Sequence, residues 1–451
     1  MGRLGTGMVG ITRWLALAVG GPTLVSIMLT ASSAVNSQGW TAFLGGPAHP
    51  SYSAGQTSIS SGNVAGLVRK WHVAGAFLAS PTVADGAVFI GSDTGWFYKL
   101  SESTGKVLGK VFLGFQPRKT CGPVGIVDTA TVTVDPADHR ETVYVGGPDG
   151  YLYAFSAATM KLQWKSVIAI PSTTTSDFFD WSSPTVANGK IYIGVASNCE
   201  DPLVRGGVIG YDQATGKKFA EFYTVPGGNV GGGVWSSVAV DSSGDVYATT
   251  GDEQSGARHY TDSIVKLNGT TLAPIRSFPA GGPFGGSPAI FGAYVGACSK
   301  NGVFYAVRRS TMTLAWQQQI GTRYAQAPAA ECNAAAVYNG SEIFLAGTGT
   351  TIDGTPYRGS VQERNPATGA LVWESGLPEG ATGSPSMDGG GVIAVGTYDN
   401  GAAPNGVYLV RAATGTIVRV LNSGKLDFAQ SAFADGWLFT ANVAGLAAWG
   451  P

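Results

Sequence analysis

Ser80-Pro81-Thr82-Val83-Ala84-Asp85-Gly86 and Ser183-Pro184-Thr185-Val186-Ala187-Asn188-Gly189 are two copies of one pattern, and the residues after each copy decide the fold. A short alternating run comes next, then a turn, a second run and often Ala-Thr-Gly. With the Asp or Asn before the turn as marker, the copies fall at Asp85, Asp135, Asn188, Asp241, Asn339, Asp388 and Asp435, spaced by 50, 53, 53, 98, 49 and 47 residues. The double gap hides a divergent copy that begins at Ser287-Pro288, which makes eight repeats. Each repeat holds four short β runs. Val88-Phe89-Ile90-Gly91 and Phe97-Tyr98-Lys99-Leu100 correspond to Val143-Tyr144-Val145-Gly146 and Tyr151-Leu152-Tyr153-Ala154-Phe155 one repeat later. Alternation with β-branched and aromatic content reads as strand, and Pro148-Asp149-Gly150 as a hairpin turn. A four-stranded unit repeating about every fifty residues predicts an all-β, eight-bladed β-propeller with antiparallel blades. The last repeat stops after about three strands at Trp449-Gly450-Pro451. Leu67 to Val73, ahead of the first full repeat, would supply the missing outer strand and close the ring on the N-terminal segment.

Composition agrees. Gly 67 and Pro 23 make up about a fifth of the 451 residues, and charged residues only 13%. Helical bundles tolerate neither this much Gly nor so little Glu and Lys. Disorder is excluded by 44% hydrophobic content rich in aromatics. A net charge of −1 without any basic tract offers nothing to nucleic acid.

Residues 1–34 read as a secretory signal: Arg3 and Arg13, an apolar stretch from Trp14 to Thr30, then Ser32-Ser33-Ala34 as a small-x-small cleavage site. An uncleaved N-terminal membrane tether is the alternative. Residues 35–451 are then a single propeller domain, secreted or periplasmic and monomeric. Four cysteines, Cys121, Cys199, Cys298 and Cys332, suit an oxidising compartment. None forms CxxCH, so no covalent c-type haem is encoded. Cys121 precedes an inner strand and Cys199 lies in the middle turn of the next blade; loops of those two types emerge on one face. Cys298 and Cys332 are related in the same way, which predicts the disulfides Cys121–Cys199 and Cys298–Cys332. Trp164, Trp316 and Trp373 occupy one repeat position and are expected to pack between blades.

Trp40-Thr41-Ala42-Phe43-Leu44-Gly45-Gly46, then His49, Tyr52-Ser53, Ile59, Asn63-Val64, Leu67 and Trp71, resembles the opening of quinoprotein alcohol dehydrogenases. The likeness runs through all eight repeats and is polyvinyl-alcohol-dehydrogenase-like in style. It implies an eight-bladed propeller that binds pyrroloquinoline quinone (PQQ) and Ca2+ at the mouth of the central channel, oxidises alcohols and passes electrons to a carrier. Four local matches fall at the family's cofactor positions. Trp235, in Gly233-Val234-Trp235-Ser236-Ser237, takes the place of the Trp that stacks under the quinone. Asp252, ending Ala248-Thr249-Thr250-Gly251-Asp252, stands where the family has a calcium-ligating Asn. Asp201, four residues before Arg205-Gly206 and next to Glu200, stands where the family has a calcium-binding Glu. Lys300, in Lys300-Asn301-Gly302, matches the Lys that hydrogen-bonds the quinone oxygens, where a cation stabilises the reduced cofactor. Phe178-Phe179-Asp180-Trp181, with Arg323-Tyr324, would form a funnel over the quinone, with Trp181 against the cofactor.

The resemblance departs at three places. The family's adjacent cysteine pair reads Thr120-Cys121, its Arg five residues later is Ile126, and its catalytic Asp position is Ala257. Alcohol oxidation needs a base for the hydroxyl proton, and His259 and Asp262 are the substitutes, with Glu253 nearby. The expected function is a PQQ-dependent, calcium-assisted dehydrogenase of alcohols or polyols with a separate electron acceptor. The alternative is a non-catalytic propeller, a scaffold or a protein- or carbohydrate-binding module of the cell envelope. Function sits in the mouth loops, so the fold does not choose between them.

Overall fold

The computed structural model describes residues 39–116, 124–172, 176–251, 259–322, 332–398, 405–422 and 424–451. The chain divides into Met1–Asn36, outside those residues, and Ser37–Pro451. The second unit holds eight sheets, each built on four antiparallel strands running from the channel outward. Blades 1 to 7 span residues 82–112, 131–167, 185–223, 239–279, 289–319, 337–377 and 386–421, and blade 8 begins at residue 432. Blade 8 has three strands from the chain end, and its outer strand is Val68–Ala74, paired with Gly445–Gly450. Blades 3 and 7 each carry one extra short strand, Phe178–Phe179 and Tyr52–Ser53. Among the described residues only two three-residue helical turns occur, and no helix is long and apolar enough to cross a membrane.

The repeat pattern has a local cause at each position. Asp85-Gly86, Asn188-Gly189 and Asp435-Gly436 have φ of 46° and 70°, 52° and 72°, 46° and 84°. Two successive left-handed residues make the hairpin turn whose twist matches its strands, and Asn, Asp and Gly adopt it at least cost. The serine of the pattern faces the next blade. The backbone N–H of Gln430 donates to Ser80 Oγ at 2.9 Å, Ser80 to Thr129 Oγ1 at 3.2 Å, and Thr129 to Ser183 Oγ at 2.9 Å. Ser183 donates to Ser237 Oγ at 2.9 Å, Ser237 to Ser287 Oγ at 3.1 Å, and Ala335 to Ser384 Oγ at 3.0 Å. This belt of hydroxyls rings the channel and joins neighbouring blades. It lapses where blade 6 has Ala335 and blade 8 has Gln430 in place of the hydroxyl.

Trp164, Trp316 and Trp373 pack between blades as expected, and Trp71 joins them. Each ring lies over the glycine of the next blade's Thr-Gly: Gly216, Gly369, Gly415 and Gly105. A Cβ at Gly369 would sit 2.6 Å from Trp316 Cε3, so only glycine admits the ring. The indole N–H of Trp71, Trp316 and Trp373 donates to the carbonyls of Glu102, Pro366 and Ala412 at 2.7, 2.9 and 2.9 Å.

The N-terminal stretch straps one end of the channel. Inner strands are sheet edges with unpaired N–H groups. Val83, Val132, Val240, Ile290, Tyr338 and Met387, each three residues past the belt position, donate to the carbonyls of Trp40, Thr41, Pro47, Ala48, Pro50 and Ser51. Burial lowers the pKa of His49, inside this strap, to about 4, and its Nδ1 meets Pro288 O at 2.7 Å.

Candidate functional site

The channel end away from the strap opens into a cavity of about 300 Å³, lined among others by Trp181, Asn198, Glu200, Trp235, Phe284, Lys300, Asn333 and Phe428. Below it, a chamber of about 70 Å³ lies between the belt hydroxyls, with Phe43 of the strap in its wall. Trp181, Trp235, Asn333 and Phe428 border both spaces. These four share one repeat position, two residues before the belt hydroxyl, with Leu78, Val127, Gly285 and Thr382 in the other blades. All eight line the chamber. Counting from the repeat therefore finds Asn333 and Phe428, which motif matching passed over.

Trp235 is half-buried, and its indole N–H donates to Phe284 O at 3.3 Å. Lys300 sits in the hairpin turn Ser299–Gly302, where Gly302 has φ 81° and the Lys300 N–H donates to Pro283 O at 2.8 Å. That turn carries the Lys300 ammonium to 5.8 Å from the Trp235 ring centroid. A Cβ at Gly285 would overlap Asn333 Oδ1, so the glycine in blade 5 admits the asparagine of blade 6 to the cavity floor. Trp181 is held by an edge contact with Phe179, ring centroids 5.3 Å apart.

Directly before Trp181, Asp180 is buried against Asp128 of blade 2. A Cβ at Gly146 would overlap Asp180 Oδ2 and lie 3.2 Å from Asp128 Oδ2, so both carboxyls converge there. Burial pushes Asp128 up to about 8, against a 2.6 Å hydrogen bond from Gly146 N–H. Burial, then the charge of Asp128, holds Asp180 well above the usual carboxylate range. Asp427, before Phe428, is pushed up to about 8 by burial. Sequence reasoning missed Asp128 and Asp427, and placed Asp180 in the funnel without its buried partner.

Of the expected site residues, Trp235, Lys300 and Trp181 meet in one cavity. Asp252, Ala257, Arg323, Tyr324, Thr120 and Cys121 lie outside the described residues. Asp201 is exposed and does not line the cavity, whereas Glu200 does. His259 is exposed with its ring 5.0 Å from Tyr260, and neither His259 nor Asp262 lines the cavity. Asp262 instead holds Gly251 through its backbone N–H at 3.0 Å. Cys298 and Cys332 are joined, Cα atoms 5.0 Å apart, across blades 5 and 6; Cys199 is also disulfide-bonded. Among the described residues no three His, Cys, Asp or Glu side chains gather as a metal would need.

Eight four-stranded blades repeating about every fifty residues define a class, the PQQ-repeat propellers. A family model described as outer membrane protein assembly factor BamB matches residues 66–203 and 204–449, and the chain belongs to that PQQ-repeat family. Lupanine 17-hydroxylase (cytochrome c) of a Pseudomonas species is 31% identical over 43% of this chain and 28% of its own length. The quinohemoprotein alcohol dehydrogenase ADH-IIG of Pseudomonas putida is 32% identical over 33% of this chain and 20% of its own length. The matched region thus spans less than a third of these relatives. The solved ADH-IIG structure superposes with a TM-score of 0.72 at 18% identity, covering 92% of this chain and 80% of that one. BamB from Moraxella catarrhalis gives a TM-score of 0.56 at 17% identity, covering 85% and 100%. These superpositions speak for the fold alone.

Proposed function

We propose that the cavity over Trp235 binds pyrroloquinoline quinone and that the chain is a dehydrogenase of alcohols or polyols working outside the cytoplasm with a separate electron acceptor. One observation carries this reading: a broad aromatic floor and a lysine ammonium 5.8 Å from its centre converge in one cavity. A planar cofactor that gains negative charge on reduction needs both. Bound there, the quinone would supply a two-electron acceptor. Trp235 would stack on its plane, and Lys300 would stabilise charge on its oxygens. Trp181 and Phe428 would keep water from its faces. The residues present fit the quinone better than calcium. Among the described lining residues Glu200 is the one carboxylate, with Asn198 and Asn333 as side-chain amides, and calcium takes six to eight oxygens. No step is derived through calcium, and no base is assigned to His259 or Asp262.

Calorimetric titration of the purified chain with PQQ tests this. Binding that Trp235→Ala weakens about a hundredfold, with dye-linked oxidation of alcohols by the loaded protein, is the expected result. The absence of binding, with or without calcium, would leave the second reading, a scaffold or binding propeller. One observation favours that reading: Ile126, where the family has an arginine, is buried in the blade 1–2 core, its Cγ2 against Gly91.

A further inference from the structure

The belt hydroxyls that join the blades still have protons to place. Ser80, Thr129, Ser183, Ser237, Ser287 and Ser384 each accept one backbone N–H from a neighbouring blade, at 2.9 to 3.2 Å. All six line the chamber of about 70 Å³ under the mouth cavity, and all but Ser384 are buried. Among the described residues none of the six gives its own proton to a protein acceptor. A hydroxyl that accepts an N–H is polarised into a better donor. A buried donor left without an acceptor is costly, so these protons call for something inside the chamber to receive them. The rest of the wall decides the charge of that guest. Among the described lining residues there is no Asp, Glu, Lys, Arg or His. A hard cation wants carboxylates and carbonyls, and here it would meet hydroxyls that already hold an N–H on one lone pair. Asp128, Asp180 and Asp427 each adjoin a chamber residue in sequence, and burial holds all three above the usual carboxylate range, so at neutral pH they oppose an anion little.

We propose that the chamber is a binding site for a small monatomic anion, chloride, held by the O–H groups of the belt. The space takes roughly five to seven water-sized spheres, room for a halide with a few waters and too little for an organic anion such as gluconate. Entry is from the mouth, because Trp181, Trp235, Asn333 and Phe428 border both the cavity and the chamber. At the other end Phe43 stands between the chamber and a pocket of about 90 Å³ inside the strap. The anion would bind hydroxyls from blades 1 to 5 and 7, directly or through water, and so brace the ring from its axis. The proposal does not depend on what occupies the cavity above.

The test compares sodium chloride with sodium gluconate at equal ionic strength, on the full chain, by thermal midpoint and by the chlorine NMR line width. In the wild type, chloride should raise the midpoint saturably above its value in gluconate, as a ligand of the folded state does. The chloride line should broaden and be narrowed again by bromide. Ser237→Ala and Thr129→Val each remove one donor and should weaken chloride binding about tenfold or more, the worth of a hydrogen bond to a charged group. Thr131→Val removes a hydroxyl that donates to Pro184 O at 2.6 Å and does not line the chamber, and it should leave chloride affinity unchanged. A purely structural belt would lower the midpoints of Ser237→Ala and Thr129→Val equally in both salts, and that result overturns the proposal. So does a wild type with the same midpoint in chloride and gluconate, or a Thr131→Val that loses chloride as the belt variants do. Should the belt variants fail to fold, crystals of the wild type in bromide decide: an anomalous peak among the belt hydroxyls is expected, and peaks only elsewhere overturn the site.

Discussion

The two ends of the central channel are closed by different means. At the strap end, six inner strands each give one N–H to successive carbonyls of residues 40–51. These are main-chain bonds, so most substitutions leave them standing. At the other end eight side chains from a single repeat position meet, and they differ from blade to blade: Leu78, Val127, Trp181, Trp235, Gly285, Asn333, Thr382 and Phe428. Backbone closure is uniform and supports the ring. Side-chain closure is individual, and it is where recognition chemistry concentrates.

Acid tests the strap. His49 is neutral in the fold, with its pKa lowered from 6.5 to about 4 by burial. The unfolded chain therefore takes up this proton first as pH falls. Its contribution is fully present above pH 6.5 and disappears progressively down to pH 4, a loss of about 3 kcal/mol. Denaturant unfolding at pH 7 and pH 4.5 should show the loss in wild type and much less of it in His49→Gln. Equal losses in both would place the acid sensitivity elsewhere.

Alkali acts at the mouth. Asp128 is raised from 3.8 to about 8, so its stabilisation is complete below pH 3.8 and declines as pH rises through about 8. Asp128→Asn keeps an acceptor for Gly146 N–H and cannot ionise. It should be more stable than wild type at pH 9, by a margin that opens as pH rises above 4, and match it at pH 3. Thermal midpoints at the two pH values measure the difference, and a constant offset between the proteins would refute ionisation of the buried Asp128 as the cause.

The smallest effect concerns the belt between the two ends. Ala335→Ser restores the hydroxyl that blade 6 lacks, within reach of the blade 5 N–H at Ser287. Stability should rise by about 1 kcal/mol. Thr129→Val, which removes a hydroxyl from an intact step, should lower it by a similar amount. Both are read from urea midpoints.

The architecture was legible because each repeat states its needs locally. The serine gives the inter-blade bond, the Asp-Gly or Asn-Gly gives the turn, and the Thr-Gly leaves room for the neighbouring tryptophan. Val68–Ala74 was readable as the closing strand because blade 8 ran one strand short. Trp235, Lys300 and Trp181 were legible because residues next to strands inherit their position from the repeat. Glu200 was not. The turn that shows residue 200 and not 201 to the cavity is bonded to Asp177, some twenty positions upstream, whose carboxylate accepts the N–H groups of Cys199 and Asp201, and no spacing rule encodes that contact. The meeting of Asp128 with Asp180 was missed for the same reason, since they belong to different blades and converge at the glycine at 146. His259 and Asp262 were chosen by nearness in sequence to an absent family residue, and nearness along a loop does not place a side chain on a wall.

The belt and the ring position two residues ahead of it separate upkeep from use. A blade's hydroxyl answers to the backbone of its neighbour, whereas the side chain two residues earlier faces the channel and takes no part in the belt. A slot without a cross-blade contact of its own can therefore change identity while the bonds that hold the circle together stay as they are. A lineage of such chains can drift from one ligand to another, or to none, by rewriting single letters at a fixed interval of about fifty.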